Sequence, residues 1–149
     1  MTLNVEPRTS AKDLLNASGE RVTRARVVVF EVLLAAPRAL THAEIIEAAL
    51  GRELVLDRVT LYRVLEWLVA RGHAHRIEGH DRVWRFNSVP GEARGHAHFH
   101  CERCARVYCL EDLQPAVAVG LPDGYSLSRA ELTLYGECPA CRMPRAGHG

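Results

Sequence analysis

Residues 95–104 of the chain, GHAHFHCERC, place three histidines and two cysteines within ten positions. Imidazole nitrogen and thiolate sulfur are the donors that zinc and similar transition metals prefer in proteins. The segment therefore predicts metal binding. The arrangement of the ligands decides whether an ion would stabilise the fold, support catalysis or act as a signal.

The cysteines of this segment belong to a pair of Cys-x-x-Cys motifs, one at Cys101 and Cys104 and the other at Cys138 and Cys141. One such turn brings two thiolates to an ion, and two turns complete a tetrahedral zinc site with no open position. A disulfide or inert buried thiols are the alternatives, but this paired spacing in a reducing cytosol favours a metal. We therefore expect a structural zinc site.

The histidines form a second candidate site. His96, His98 and His100 alternate, so on a β-strand they lie on one face while Cys101 lies on the other. Histidines spaced in this way can bind one ion, and the alternative is that they are ordinary polar strand residues. Cys109, the fifth cysteine, is expected on the adjacent strand, where it either adds a thiolate to the histidine face or is simply buried.

The elements before this segment predict a DNA-binding fold. Three runs have helical periodicity, RVTRARVVVFEVLLAAP, THAEIIEAALG and DRVTLYRVLEWLVARG, with caps at Thr23 and Thr41 and with Phe30 and Leu34 facing inward. HAHRIE and RVWRF then alternate as a hairpin. Three helices followed by a two-stranded hairpin describe a winged helix-turn-helix, whose later helix enters the major groove of DNA.

The last of these helices, which begins at Asp57, carries the candidate DNA contacts. Thr60, Tyr62 and Arg63 lie on its polar side and are residue types that contact phosphates and base edges. The alternative is that they form the solvated face that any amphipathic helix has. His75 and His80 follow, on the hairpin and in its turn, and either one alone is more simply interpreted as exposed and without a role.

The second half of the chain has a β pattern, so the fold class is α+β. A linker composition, NSVPGEARG, separates the halves. We expect residues 1–87 to form the winged-helix domain, 88–95 the hinge, 96–141 a small α/β metal-binding domain with an antiparallel sheet and a short helix at EDLQPAVAV, and 142–149 a disordered tail.

Composition limits the function classes. Apolar residues make up 48% and charged residues 25%, which is ordinary for a soluble globular protein. The apolar runs are too short for a membrane span, and the first residues lack the apolar core of a secretory signal. We therefore expect a cytoplasmic protein with no membrane partner. The net charge of +1 gives no support for nucleic-acid binding by itself.

Together these residues resemble the ferric uptake regulator family of bacterial metal-responsive transcription factors, and most of all its zinc uptake regulator subgroup. The match runs from about residue 22 to residue 141, and its sharpest parts are VTLYRVLEWLVARG, HAHFHCERC and LTLYGECPAC. The resemblance implies a homodimer, with the second half as dimerisation domain, a structural zinc, a regulatory metal at the hinge, and a metal-activated repressor that binds an AT-rich palindrome in double-stranded DNA.

Carried over by position, the resemblance makes Tyr62 and Arg63 the DNA-contacting pair. Arg85 occupies a position where iron sensors usually have a ligating glutamate, and Ala39 one where they have a histidine, so an iron-type site looks incomplete. Side chains of a further metal site are replaced by Gly95, Ala97 and Ala130. The implied regulatory ligands come from both halves of the chain: His75, His96, His98 and Cys109.

Three imidazoles and one thiolate suit a tetrahedral Zn²⁺ ion better than Fe²⁺ or Mn²⁺. We therefore predict a zinc-sensing repressor that controls metal uptake genes. Iron, manganese or peroxide sensing are alternatives within the family, nickel sensing is not excluded, and His80 or His100 could replace one of the four ligands.

An enzyme is a rival from another class. Residues 100–102, HCE, together with the second cysteine pair imitate the signature of zinc deaminases. However, Glu137 rather than proline precedes that pair, and Cys104 would have no role. A zinc-storage protein is a second rival, but it would not need the helix that carries Tyr62 and Arg63. We predict that the chain is not an enzyme.

Overall fold

The computed structural model describes residues 10–89, 97–110, 120–127 and 131–143. The helices are α1 (Ala11–Asn16), α2 (Arg24–Ala35), α3 (His42–Leu50), α4 (Arg58–Ala70) and α5 (Pro139–Arg142). The strands are β1 (Leu40–Thr41), β2 (Ala74–Glu78), β3 (Trp84–Ser88), β4 (Ala97–Cys101), β5 (Val107–Leu110) and β6 (Leu132–Gly136). None of the helices in these ranges is long and apolar enough to cross a membrane.

Side-chain caps fix where the first-half helices begin. The Thr23 hydroxyl and the Asp57 carboxylate each accept a hydrogen bond from a backbone N–H three residues further on, at the starts of α2 and α4. At α3 a complete capping box is present, because Thr41 accepts from the Glu44 N–H while the Glu44 carboxylate accepts from the Thr41 N–H. The predicted starts of all three helices are confirmed.

The core of the first half lies where α2, α3 and α4 meet. Leu61, Val64, Leu65 and Leu68 form the buried apolar stripe of α4, and Phe30 of α2 is buried with them. Leu34 was predicted to face inward, and this is wrong: its side chain is 41% exposed, whereas its neighbour Leu33 is fully buried. The run is apolar on nearly every side, so periodicity does not define its inner face. The largest fully buried side chains here are Phe30, Leu15, Leu33, Ile45, Leu61, Leu65, Leu68 and Val29.

The first sheet has the strand order β1-β3-β2, and both pairings are antiparallel. The hairpin of β2 and β3 is the predicted wing, and it packs against α4. The two-residue strand β1 was not predicted, because it is too short to show alternation. Three helices and this wing form the winged helix-turn-helix.

The second sheet has the order β5-β4-β6 and is mixed. The prediction of an antiparallel sheet holds for β4 with β5, but it is wrong for β4 with β6, which pair in parallel. A parallel pair needs a crossover of a dozen or more residues, and residues 111–131 supply that length between β5 and β6. The α+β fold class is confirmed.

The two sheets are in direct contact. The Ala39 N–H donates a 2.8 Å hydrogen bond to the carbonyl of Val107 in β5. Ala39, Ile77 of β2 and Val107 also form a buried apolar cluster. We name these three residues the junction cluster. It holds the wing beside β4 and β5, where the candidate ligands lie.

Parts of the predicted organisation lie outside the described residues. These are most of the hinge, the helix at EDLQPAVAV and residues 144–149 of the tail. Within the described residues, Ser88 is the last residue of β3 and Arg142 the last residue of α5. The division into two domains stays a prediction.

Candidate metal centres

The four cysteines of the Cys-x-x-Cys motifs come together. Their sulfur atoms all lie within 4.8 Å of one another. The Sγ atoms of Cys101 and Cys141 are 3.7 Å apart, and those of Cys104 and Cys138 are 3.8 Å apart. A tetrahedral zinc ion with Zn–S bonds of about 2.3 Å holds its ligands about 3.8 Å apart. The donors and their spacing therefore fit a zinc ion.

Three short segments position these thiols. Cys101 is the last residue of β4, and Cys104 lies in the turn that follows. Cys138 precedes α5, which contains Cys141, and its N–H donates to the Cys101 sulfur at 3.3 Å. Because β6 pairs with β4, the segment that carries the second motif is brought beside the first.

The electrostatics of the cluster favour a bound cation. Burial opposes ionisation of Cys101, but backbone N–H donors, with Cys138 foremost, outweigh it and lower its pKa to about 6. The hydrogen bond with Cys138 is the first cause that raises the pKa of Cys141 to about 12. Four adjacent thiols resist ionising together. Metal binding to this cluster would therefore release protons.

A second cluster joins the two halves of the chain. The donor atoms of His75, His98 and Cys109 also lie within 4.8 Å of one another, and all three side chains are half-buried. The Nε2 atoms of His75 and His98 are 3.3 Å apart. Zn–N bonds of 2.0–2.1 Å place two such nitrogens about 3.3 Å apart in a tetrahedral site. The cluster therefore fits the same kind of ion.

Each ligand of this second cluster comes from a different strand. His75 lies on β2 of the wing, whereas His98 lies on β4 and directly faces Cys109 on β5. Pairing of β4 with β5 therefore sets the imidazole and the thiol side by side. The contact with His75 depends on how the two sheets meet at the junction cluster.

The remaining histidines of the prediction lie elsewhere. His96 is outside the described residues, so its role as a ligand stays a prediction. His80 is exposed in the wing turn, and His100 is buried with its ring centroid 5.3 Å from that of Tyr135. Neither His80 nor His100 is part of the two clusters found among the described residues.

Arg85 and Ala39 are the two departures noted in the sequence, and the structure describes both residues. Arg85 is buried and donates two hydrogen bonds of 2.8 Å to the Asp81 carboxylate. These bonds hold the pKa of Asp81 well below its usual range. The position thus carries a fixed guanidinium in place of a carboxylate ligand, and Ala39 offers no donor side chain. That an iron-type site is incomplete stays a prediction.

The predicted DNA-facing residues lie on the outer side of α4. Tyr62 is 48% exposed, and Arg63 is also exposed. Thr60 is half-buried, and its hydroxyl donates a 2.8 Å hydrogen bond to the Asp57 carboxylate. Thr60 therefore has a role in starting the helix, while Tyr62 and Arg63 are the more exposed of the three residues.

Two features of this region were not found from the sequence. One is the junction cluster, whose residues are ordinary apolar positions far apart in the chain. The other is a cavity between α4 and the wing, described below. The alternation of Trp84 and Phe86 along β3, which puts both rings on one face, is a signal that could have indicated it.

Comparisons with known proteins agree with this architecture. A model of the ferric uptake regulator family matches residues 17–119. The transcriptional regulator FurA of Mycobacterium tuberculosis (strain ATCC 25618 / H37Rv) is 34% identical over 133 residues, covering 87% of this chain and 88% of FurA. The zinc uptake regulation protein of Escherichia coli (strain K12) is 23% identical over 145 residues, covering 94% and 84%. The structure of the Helicobacter pylori ferric uptake regulator superposes with a TM-score of 0.67 at 17% identity, covering 92% of this chain and 95% of that one.

A winged helix-turn-helix joined to a cysteine- and histidine-rich sheet defines a metal-responsive, DNA-binding transcriptional regulator. With the family model matching more than half of its length, the chain belongs to the ferric uptake regulator family. Its members are regulators of transcription, so the prediction that the chain is not an enzyme is confirmed. The family resemblance drawn from the sequence is confirmed as well.

Proposed function

We propose that the chain is a zinc-sensing repressor that controls metal uptake genes, acting in the cytoplasm as a homodimer on an AT-rich palindromic operator. One observation carries the proposal. The donor atoms of His75 on the wing and of His98 and Cys109 in the second sheet lie within 4.8 Å of one another. Metal occupancy of this cluster would couple the DNA-binding half to the rest of the molecule.

The donor set supports zinc as the ion. Two imidazoles and a thiolate are borderline-soft ligands, and we propose His96 as the fourth. Iron and manganese sites favour carboxylates and higher coordination numbers. A curated relative is named as a zinc uptake regulator. The four-cysteine cluster, in contrast, has no position for an exchangeable ligand and is proposed as the structural zinc site.

The mechanism follows from where the ligands lie. When bound, a zinc ion would supply a positive charge and fixed ligand distances that the wing and the second sheet share. His75 then restrains the wing, and His98 and Cys109 hold it against β4 and β5. A dimer on a palindrome needs its recognition helices about one DNA turn apart. By linkage, metal affinity that is higher in the DNA-competent state raises DNA affinity by the same factor.

The recognition surface in this proposal is the exposed side of α4. Tyr62 supplies an aromatic ring that can contact a thymine methyl group or the DNA backbone, and Arg63 supplies a guanidinium for guanine edges or phosphate. Thr60 contributes chiefly by joining the Asp57 cap, which sets the first turn of the helix.

A DNA-binding titration tests the proposal. Purified protein that retains its structural zinc is titrated with Zn²⁺, and binding to fluorescent promoter DNA with an AT-rich palindrome is followed by anisotropy. Wild type should bind tightly with zinc and weakly after mild chelation. His98→Ala should lose the zinc response, whereas His80→Ala, which alters an exposed turn residue, should keep it. Operator affinity that is indifferent to chelation, or a full zinc response in His98→Ala, would reject the proposal.

Iron sensing is the second candidate, because the relative with 34% identity is the regulator FurA and the family is named for ferric uptake. The same titration with Fe²⁺ or Mn²⁺ under anaerobic conditions separates the two. A zinc sensor should bind operator DNA at a lower free concentration of Zn²⁺ than of either other ion. The reverse order would assign the protein to iron or manganese.

A further inference from the structure

A cavity of about 290 Å³ lies between α4 and the wing. One wall is the face of α4 that carries Tyr62, Leu65 and Val69, and the opposite wall carries Trp84 and Phe86 of β3. Its volume is at the lower end of the range for small-molecule sites, and walls of aromatic and aliphatic side chains are typical of them. The cavity has the size and lining for a single- or double-ring ligand.

Arg76 and His42 are the polar lining residues that can bind a ligand in this apolar space. The Arg76 guanidinium lies over the Trp84 ring, 4.2 Å from its centroid, and makes no ion pair within the described residues. His42 packs its ring 4.5 Å from Tyr62 and 5.0 Å from Phe86, measured between centroids. Its Nε2 atom is buried and has no hydrogen-bond partner in the part of the chain that the structure describes.

The protonation state of His42 limits the kind of ligand that the cavity can bind. Burial, followed by the charge of Arg58, lowers the pKa of His42 below its usual value. The imidazole is therefore neutral at physiological pH and offers one hydrogen bond rather than a charge. Arg76 is consequently the cation of the cavity. Glu66, on an exposed position of α4, is the opposing charge, and its exposure leaves it well solvated.

We propose that this cavity binds a small planar aromatic carboxylate, with the ring between α4 and the Trp84 and Phe86 side chains and the carboxylate on Arg76. A guanidinium placed over an indole ring can still direct N–H groups to a carboxylate, which it matches in geometry. The ring of the ligand gains contact with three aromatic side chains, those of Tyr62, Trp84 and Phe86. The His42 nitrogen offers a hydrogen bond to a polar ring atom.

The position of the cavity gives its ligand a regulatory consequence, and this step rests on the proposed function. Tyr62 lines the cavity and also belongs to the proposed DNA surface of α4. A ligand packed against Tyr62 restricts the positions that this ring can take. Occupancy of the cavity should therefore change operator affinity, and by linkage operator DNA should change ligand affinity by the same factor.

Calorimetry without DNA tests the site by itself, with indole-3-carboxylate as the probe and zinc-loaded full-length protein. We expect saturable binding at one site per chain. Arg76→Gln should weaken it about tenfold or more through loss of the charged contact. Ala70 also lines the cavity, and Ala70→Phe, which adds a ring at this position while keeping Arg76, should abolish binding. Arg52→Gln removes a cation outside the cavity and is the matched control, with unchanged affinity. Circular dichroism and zinc content establish that each variant is folded.

Several outcomes would overturn the proposal. One is the absence of saturable binding to wild type, and another is wild-type affinity in Ala70→Phe or Arg76→Gln. Equal affinity for the methyl ester of the probe would overturn the assignment of an anionic ligand. The operator assay is separate: zinc-dependent DNA binding that is unaffected by saturating probe would reject the coupling to Tyr62 while leaving the proposed function in place.

Discussion

At the scale of single residues, the molecule is organised around side chains that are costly to bury alone. The sulfur atoms of the four cysteines are separated by 3.7 Å and 3.8 Å within the pairs Cys101–Cys141 and Cys104–Cys138, and the Nε2 atoms of two histidines, His75 and His98, are 3.3 Å apart. Both sets of donor atoms are close enough to share an ion. A bound metal stabilises such clusters because it attracts the closely spaced donor atoms. Since a structural site is not formed in the unfolded chain, the free energy of metal binding there also contributes to the free energy of folding. The four-cysteine cluster joins segments next to the second sheet, whereas the second cluster joins the wing to that sheet. Variants of the first should therefore lose stability, and variants of the second should lose the response of DNA binding to metal.

Cys101→Ser should remove the structural zinc and unfold the second half of the chain. Cys101 is fully buried and receives the Cys138 N–H, so its loss removes a ligand and an internal contact together. The zinc content per chain and the thermal transition followed by circular dichroism measure the effect. Cys109→Ser is the matched control and should keep the four-cysteine zinc. Unchanged zinc content and stability in Cys101→Ser would contradict a structural role.

His42 should make stability depend on pH. Its folded-state pKa is lowered by burial and then by Arg58, whereas the unfolded chain retains a value of about 6.5. As the pH falls below about 6.5, the unfolded state takes up the proton first, so the free energy of unfolding decreases. His42→Phe keeps a ring between Tyr62 and Phe86 and should lose less stability between about pH 7.5 and about pH 5.5.

Urea denaturation of both proteins at the two pH values measures this difference. His80→Phe, an exposed histidine in the wing turn, serves as the control and should behave as wild type. An equal pH-dependent loss in wild type and His42→Phe would show that His42 is not a source of the dependence.

At the scale of elements, short-range chemistry decides where each helix starts, and tertiary pairing decides how the strands are ordered. Three contacts fix the start of α3. The Thr41 hydroxyl accepts from the Glu44 N–H, the Glu44 carboxylate accepts from the Thr41 N–H, and the same carboxylate pairs with Arg38 at 2.8 Å. β1 and α3 are thereby joined at one residue, Thr41. This joint also holds His42, the first residue of α3, against Phe86 of β3.

Thr41→Ala should lower the free energy of unfolding by about 1 kcal/mol, because the α3 start loses its side-chain acceptor. Thr41→Ser retains the hydroxyl and should stay close to wild type. Chemical denaturation of zinc-loaded protein gives both values. If Thr41→Ala were as stable as wild type, the capping box would not contribute to the stability of the fold.

The parts of this architecture that follow from local sequence were predictable. The caps at Thr23, Thr41 and Asp57 act on N–H groups within three residues, so their pattern is visible in the chain itself. The four-cysteine cluster was predictable because zinc needs four donors and the spacing supplies them. Leu34 was not, since a run that is apolar all round has no single inward face, and neither was the parallel pairing of β6, which depends on a long crossover.

The second metal cluster was predictable only in part. Alternation on β4 and adjacency of β5 indicated His98 and Cys109, and the register confirms that they are opposite each other. His75 could not be found from spacing, because its approach depends on contacts between two sheets. The family resemblance supplied that residue. Its physical basis is the junction cluster, which consists of apolar residues without a distinctive pattern.

At the scale of the whole molecule, the junction cluster and the second metal cluster both join the wing to the second sheet. Ala39 and Ile77 meet Val107 on one side, and His75 meets His98 and Cys109 on the other. The apolar contact positions the wing, so that the ligands need little further ordering to share an ion. Preorganisation of this kind raises affinity by lowering the entropic cost of binding.

Val107→Asp should therefore weaken binding of the regulatory metal about tenfold or more while leaving the four-cysteine zinc in place. A buried carboxylate cannot remain between Ala39 and Ile77, so the sheets should separate. Competition with a chromophoric chelator measures the affinity. Val55→Asp, at a highly exposed position before α4, is the matched control. Wild-type metal affinity in Val107→Asp would show that the apolar contact does not contribute to binding of the regulatory metal.

The pairing of the first strand of the second sheet with its last strand has a consequence for synthesis. Half of the ligands of the proposed structural zinc lie at 101 and 104, and the other half lie at 138 and 141, after 33 intervening residues. The proposed site can therefore be completed only after residue 141 has emerged from the ribosome. A message truncated before codon 138 would yield a product that keeps its winged helix and lacks half of this site.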